Sequence, residues 1–338
     1  MALLHPASPS TVDAAAAQLA RGGLLGLPTE TVYGLAADAN NPAAVHAIFA
    51  AKGRPANHPL IVHVAPPEAA EDWTAVLQRW ACEVPPMALA LANAFWPGPL
   101  TLVLRRQAGV GEAAAGGLPT LAVRCPAHPV ALAVLRAAKT LGVHGVAAPS
   151  ANRFGRVSPT TASHVMDEFA ASLSDQALLV IDGGPSDVGI ESTIVDCSRS
   201  HPVLLRPGMI SAARLEQTLL QAVRPPDAHA PAVSGSLASH YAPRAKVRLW
   251  DAADIAPAWA ALHASDRTHT AVYAPQASAL NGVIHHHDMP TDAAACAQEL
   301  FAVLRALDVA QVQTIWVAQA DHTPAWAGVA DRLQRAAA

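Results

Sequence analysis

Leu24-Leu25-Gly26-Leu27-Pro28-Thr29-Glu30-Thr31-Val32-Tyr33-Gly34 is an apolar run that passes directly into a polar turn. The first four residues read as a short buried strand, and Pro28 to Gly34 packs hydroxyls, a carboxylate and a glycine into the turn behind it. α/β sheets present ligands on such turns, at the carboxyl ends of their strands, although the same residues also describe an ordinary capped turn. Upstream, Thr11 to Arg21 is an alanine-rich helical run that Ser10 or Thr11 can cap and that Gly22-Gly23 ends. Downstream, Asn41-Pro42 opens a helix through Ala51, with Pro42 in the first turn where its missing N–H costs little. Leu60 to Val64 is a second buried strand, rich in β-branched residues. Further strands are expected at Leu100–Leu104, Thr120–Arg124, Gly145–Ala148, Leu178–Ile181 and Ser192–Val195, with helical segments between several of them. One more helix is expected from Ser211 to Val223. The pattern is mixed α/β, and one sequence leaves the strand order open.

A chain of 338 residues is long for one core. The break falls at Arg224-Pro225-Pro226-Asp227-Ala228-His229-Ala230-Pro231, too proline-rich for regular structure. Beyond it, strands at Ala245–Leu249, Thr270–Tyr273 and Thr314–Val317 and a long amphipathic helix from Thr291 to Leu307 describe a small C-terminal Rossmann-like α/β domain. The expected division is 1–212 for the first domain, 213–243 for a helix end and Pro-rich linker, and 244–338 for the second domain.

Composition narrows the function. With 22 basic and 26 acidic residues the net charge is −4, which argues against a surface built chiefly to grip nucleic acid. Cys82, Cys125, Cys197 and Cys296 are far apart and form no CxxC pair, so they read as reduced thiols. The N-terminus lacks the basic flank and apolar core of a signal peptide, and no long uninterrupted apolar stretch suggests a membrane span. A cytoplasmic location is expected.

Three further segments carry candidate chemistry. Lys52-Gly53-Arg54-Pro55 sets two cations about a glycine, a pattern suited to phosphate oxygens and equally to a plain helix end. His58 and His63 stand at the two ends of the second strand, where chemistry alone assigns them no role. Pro149-Ser150-Ala151-Asn152 and Gly189-Ile190-Glu191-Ser192-Thr193 put small polar groups on post-strand turns. Neither a Walker motif nor GxGxxG is present, and neither Ser150 nor Ser192 sits in a GxSxG elbow. His285-His286-His287-Asp288 is read as a solvated loop, because consecutive side chains seldom converge on one ion, and no metal site is expected.

Taken together, Pro28–Leu35, Lys52–Pro55, Pro59–His63, Trp96–Thr101, Pro149–Asn152, Glu191–Thr193 and Arg206–Gly208 resemble the YrdC-like domain of threonylcarbamoyl-AMP synthases. Ser239-His240-Tyr241-Ala242-Pro243 resembles the junction into the extra domain of that family's long, two-domain form. The resemblance implies an α/β YrdC-like twisted mixed sheet with flanking helices as the catalytic domain over 1–212, with 213–243 as linker or lid. It also implies a nucleotidyltransferase that makes threonylcarbamoyl-AMP and pyrophosphate from L-threonine, bicarbonate or CO2 and ATP. By similarity Lys52 and Arg54 serve catalysis, and Thr31, His63, Arg124, Ala148 and Ser192 hold threonine. Arg54, His58, Thr120, Ser150, Asn152, Ser158, Arg206 and Tyr241 line the ATP site, with Mg2+ accompanying the nucleotide. The implied partners are downstream threonylcarbamoyl-transfer proteins acting on tRNA. Direct tRNA contact is not required, no membrane is involved, and a monomer is expected. An RNA-binding module and a carbamoyl-transfer protein are the alternative functions.

Overall fold

In a computed structural model the described residues are 3–174, 176–235, 237 and 239–338. Five strands come from the first third of the chain: β1 (Leu3–Pro6), β2 (Leu24–Leu27), β3 (Gly34–Asp38), β4 (Ile61–His63) and β5 (Leu100–Arg105). β6 (Thr120–Arg124), β7 (Val146–Ala147), β8 (Leu178–Asp182), β9 (Thr193–Asp196) and β10 (Val203–Arg206) follow. These ten form one sheet in the order β1-β8-β2-β3-β7-β4-β6-β5-β9-β10. It is mixed: β2 runs parallel to β8 but antiparallel to β3, and β6 runs parallel to β4 but antiparallel to β5. β2 is buried along its whole length, as the apolar run requires.

β1, β3 and β10 are strands that pattern reasoning did not anticipate. Gly34-Leu35-Ala36-Ala37 has little intrinsic β preference, and pairing with β2 and β7 overrides that deficit. The first helix starts at Pro9 instead of Thr11, and the Ser8 hydroxyl caps it by accepting the Thr11 N–H. The Pro42–Lys52 helix is capped as its sequence demands, with Asn41 accepting the N–H groups of Ala43 and Ala44. It ends at Gly53, whose φ of 64° is the left-handed geometry that glycine tolerates best. The helix expected over 211–223 is shorter, Ala212–Leu219.

The second sheet contains β11 (Lys246–Trp250), β12 (Thr270–Ala274), β13 (His285–Asp288) and β14 (Thr314–Ala318), all parallel, in the order β11-β14-β12-β13. The Ala293–Leu307 and Ala327–Ala337 helices pack in the same core. This is the Rossmann-like second domain. His285–Asp288 is its edge strand and not a loop, because parallel pairing with Ala271–Ala274 satisfies its backbone while its side chains stay largely exposed. No described helix is long and apolar enough to cross a membrane.

Candidate active site

The turn after β2 is shaped by one hydroxyl. Thr29 Oγ1 accepts the N–H groups of Thr31 and Val32 and donates to Val32 O at 2.6 Å. That geometry sends Glu30 and Thr31 toward the end of β6, where Arg124 is buried. Arg124 Nη2 donates to Glu30 Oε1 at 2.6 Å, Nη1 to Thr31 Oγ1 at 2.8 Å and Nε to Gly98 O at 3.1 Å. Parallel pairing of β4 with β6 sets His63 beside Arg124. Burial, reinforced by the Arg124 charge, pushes the His63 imidazole down to about 3, so it is neutral at physiological pH.

Ser192 closes the opposite wall. Its hydroxyl lies 2.7 Å from Thr101 Oγ1, and its carbonyl accepts from Arg206 Nε and Nη2 at 3.1 and 2.9 Å. Nη2 also reaches Ser192 Oγ at 3.2 Å, and a fourth contact reaches the connector between the two domains: Nη1 donates to Ser234 O at 2.8 Å. One small cavity is lined by Thr31, His63, Arg124, Ala148, Ser150, Glu191, Ser192, Arg206, Ser234, His240 and Tyr241. All five residues expected to hold threonine therefore converge, with three of those expected around ATP.

The two cations of the Lys52–Pro55 segment part company. Lys52 Nζ turns inward and donates to the carbonyls of Ser150 and Asn152, at 2.6 and 2.5 Å. It is 2% exposed and lines none of these cavities, so it braces the Pro149–Asn152 loop instead of facing a ligand. Burial, with Arg54 nearby, drives its amine well below the usual lysine range. Arg54 instead faces a second cavity of about 190 Å³, shared with His58, Phe154 and the connector residues Ala232, Val233, Gly235 and Leu237. Its guanidinium lies 5.7 Å from the Phe154 ring and donates to Pro59 O at 3.0 Å. Burial lowers it to about 10, which leaves it charged at neutral pH.

The connector separates these spaces. The inner cavity measures only about 30 Å³, enough for one or two waters. Thr120 faces a third cleft, closed by Ala232, Val233 and Ser234. Two further expected ligand residues line none of these three spaces. Asn152 donates to the carbonyls of Arg153 and Arg156, and Ser158 stands behind Glu191, donating to its carboxylate. A larger groove of about 610 Å³ lies between Arg21, Ala47, Ala51, Arg153 and Leu173. Its lining is chiefly alanine, glycine and leucine, so the chemistry is assigned to the small cavity, where polar groups converge.

Sequence reasoning gave no role to Glu30, Thr101, Glu191, Ser234 or Arg332. Glu30, Thr101 and Glu191 lie inside quoted motifs and could have been found there; Arg332 sits on an unremarkable amphipathic helix.

Comparison with known proteins adds an independent line. Residues 17–208 match the family described as "Telomere recombination", and residues 210–338 match the threonylcarbamoyl-AMP synthase C-terminal domain. The threonylcarbamoyl-AMP synthase of Pyrococcus abyssi is 43% identical over 238 residues, which are 69% of this chain and 66% of that protein. That of Bacillus subtilis is 42% identical over 206 residues, 61% of this chain and 55% of the relative. The chain thus spans just under two thirds and little more than half of these two curated relatives. The crystal structure of P. abyssi Sua5 complexed with L-threonine has a TM-score of 0.87 at 32% identity, covering 100% of this chain and 97% of that one.

Proposed function

This chain belongs to the YrdC-like family in its two-domain, threonylcarbamoyl-AMP synthase form, and on that premise we propose that it is itself an L-threonylcarbamoyladenylate synthase. Its substrates are L-threonine, bicarbonate or CO2, and ATP. The observation that carries this reading is the convergence of Thr31, His63, Arg124, Ser150, Ser192 and Arg206 on one cavity.

Threonine carboxylate pairs with Arg124, whose five N–H groups include two beyond those aimed at Gly98, Thr31 and Glu30. Hydroxyls of Thr31 and Ser192 orient the remainder of the amino acid. Neutral His63 adds polarity without a second cation. The carbamate oxygen of N-carboxythreonine bonds to the α-phosphorus of ATP while the bond to the pyrophosphate oxygen breaks. Attack of one anion on another needs fixed positive charge, which Arg54 and Arg206 supply; no covalent enzyme intermediate is required. Lys52 contributes by holding the Ser150 wall. Threonylcarbamoyl-AMP then passes to transfer proteins that modify tRNA.

Among the described residues, Glu191 is the carboxylate lining the cavity, and both its oxygens are engaged, by Ser158 and Arg332. This donor set suits a Mg2+ ion carried by the triphosphate and its waters, with no protein cage of its own. Magnesium there would neutralise phosphate charge. Because connector residues stand between the Arg54 and Arg124 sides, ATP entry requires Ala232, Val233, Ser234, Gly235, His240 and Tyr241 to withdraw and then close again as a lid. The free thiols of all four cysteines are in keeping with the cytoplasm. Pyrophosphate release from ATP, measured with and without L-threonine and bicarbonate, tests the proposal. Turnover indifferent to threonine would refute it.

A further inference from the structure

The turn that carries Glu191 and Ser192 belongs to the first domain by sequence, yet the second domain grips it. A Cβ on Gly189 would collide with the carbonyl oxygens of Ala297 and Gln298, on the Ala293–Leu307 helix. One on Gly328 would lie 2.8 Å from Ile190 Cδ1 and 3.1 Å from Gly208 Cα. Both glycines therefore mark places where the two domains meet without room for a side chain.

Arg332 enters from the Ala327–Ala337 helix at the same point, and its side chain is wholly buried. Nε donates to Glu191 Oε2 at 2.8 Å, Nη2 to Glu191 O at 3.0 Å and Nη1 to Pro207 O at 2.9 Å. Nη1 also meets Asp331 Oδ2 at 2.6 Å, and the guanidinium lies 5.5 Å from the Tyr241 ring. Glu191 Oε1 is taken by the Ser158 hydroxyl at 2.5 Å. Arg305, on the other helix, supports the same region by donating to Ser158 O at 3.3 Å while pairing with Glu168 at 2.7 Å.

A carboxylate in the wall of an anion-binding cavity is a liability unless its charge is cancelled and its position held. Burial alone would push the Glu191 carboxyl up. The guanidiniums of Arg332 and Arg206, with the hydrogen bonds from Ser158 and Arg332, outweigh burial and keep it below the usual range. Glu191 is therefore an anion throughout neutral pH, and the cation most directly bonded to it comes from the other domain.

We propose that Arg332 is a positioning residue of the nucleotide site: it fixes Glu191 in the cavity wall and cancels its charge, so that the second domain completes the site. The inference rests on the proposed function only in taking ATP as the anion. Removing Arg332 would leave a buried carboxylate facing incoming phosphate.

Isothermal titration of the full chain with ATP reads this without turnover, using Arg332→Met, Glu191→Gln and the double variant. Arg332→Met is expected to weaken ATP binding at least about tenfold, as exposure of a like charge should. In the double variant the loss should fall to within about threefold of Glu191→Gln alone, because no carboxylate remains to be held. A purely structural Arg332 would give losses that multiply. Arg332→Lys keeps the cation without the fork and should lie between. The proposal is overturned if Arg332→Met binds ATP within about twofold of the unchanged chain, or if the single losses multiply in the double variant. Should Arg332→Met lack a cooperative melt, the double variant and Arg332→Lys decide. A double variant more than about tenfold weaker than Glu191→Gln then overturns it. An unchanged chain that binds ATP without threonine-dependent pyrophosphate release refutes the synthase reading and leaves this cycle interpretable. One that does not bind ATP overturns both.

Discussion

Replacing Lys52 with methionine separates the phosphate contact that the sequence suggests from the loop-bracing role that the structure gives the same amine. In the structure Lys52 Nζ bonds to the carbonyls of Ser150 and Asn152 and faces neither cavity that a ligand would occupy. Methionine keeps the length and apolar stem but removes both bonds. At about 1–2 kcal/mol for each bond and its orphaned carbonyl, the loss is roughly 2–4 kcal/mol. For a domain of this size that corresponds to a fall in Tm of roughly 5–15 °C. Thermal melting followed by fluorescence measures it directly. Kinetics of pyrophosphate release then give the second half of the result. A loosened Pro149–Asn152 loop should raise KM for threonine and ATP more than it lowers kcat, since the reacting groups keep their cations. The opposite pattern would refute the reasoning: a melt moved by less than about 2 °C together with a collapse of kcat by about a hundredfold or more. Lys52 would then have to meet phosphate in a rearranged state.

Arg54→Ala should reduce turnover by more than about a hundredfold, the scale seen for loss of a charge-stabilising donor. Its melt should move little, because the firm protein bond of that guanidinium is the one to Pro59 O; normal turnover would remove Arg54 from the reaction. Gly235 has φ of 75°, and a Cβ there would collide with Tyr241 Oη and lie 2.8 Å from Arg206 Nη1. Gly235→Ala is therefore expected to hinder lid closure and raise KM for ATP, with threonine binding by calorimetry less affected; unchanged ATP kinetics would sink the lid. His63 and His240 are both pushed down to about 3, chiefly by burial, and so stay neutral in the fold. Between about pH 3 and 6.5 the unfolded chain binds up to two more protons at these sites, and stability falls as pH drops, by at most about 2.7 kcal/mol per unit. His240→Gln should reduce that slope in urea melts at pH 4–6; an identical slope would show that His240 protonates freely in the folded chain.

The fold was most legible where local chemistry and tertiary pairing agree. Thr120–Arg124 is bounded by Pro119 and by Cys125-Pro126, and the strand occupies those five positions. Gly34–Asp38 shows the opposite case, since its alanines favour no strand and only pairing with Leu25–Leu27 and Val146–Ala147 makes one. In the site, Thr31, His63, Arg124 and Ser192 were legible through the family motifs that contain them. His63 and Arg124 end paired strands, Thr31 follows β2 and Ser192 precedes β9, so sheet geometry gathers them. The destination of Lys52 was not. Its partners lie 98 and 100 positions further along the chain, and a cation before a glycine is equally a helix terminus. Glu191 and Arg332 are 141 positions apart and belong to different sheets' surroundings, so no local pattern joins them.

If the chain is the synthase proposed above, the shared wall between the two cavities also sets an order in time. Ser234, His240 and Tyr241 of the connector wall the inner space, and Ala232, Val233, Gly235 and His240 wall the Arg54 side. For a synthase built this way, threonine loads first, because a triphosphate seated against Arg54 would stand in its path. Carbamates lose CO2 once protonated, and a chamber that admits so little water keeps proton donors away from one. In the proposed synthase, the strap that must move for ATP would thus also shelter the short-lived compound with which ATP reacts.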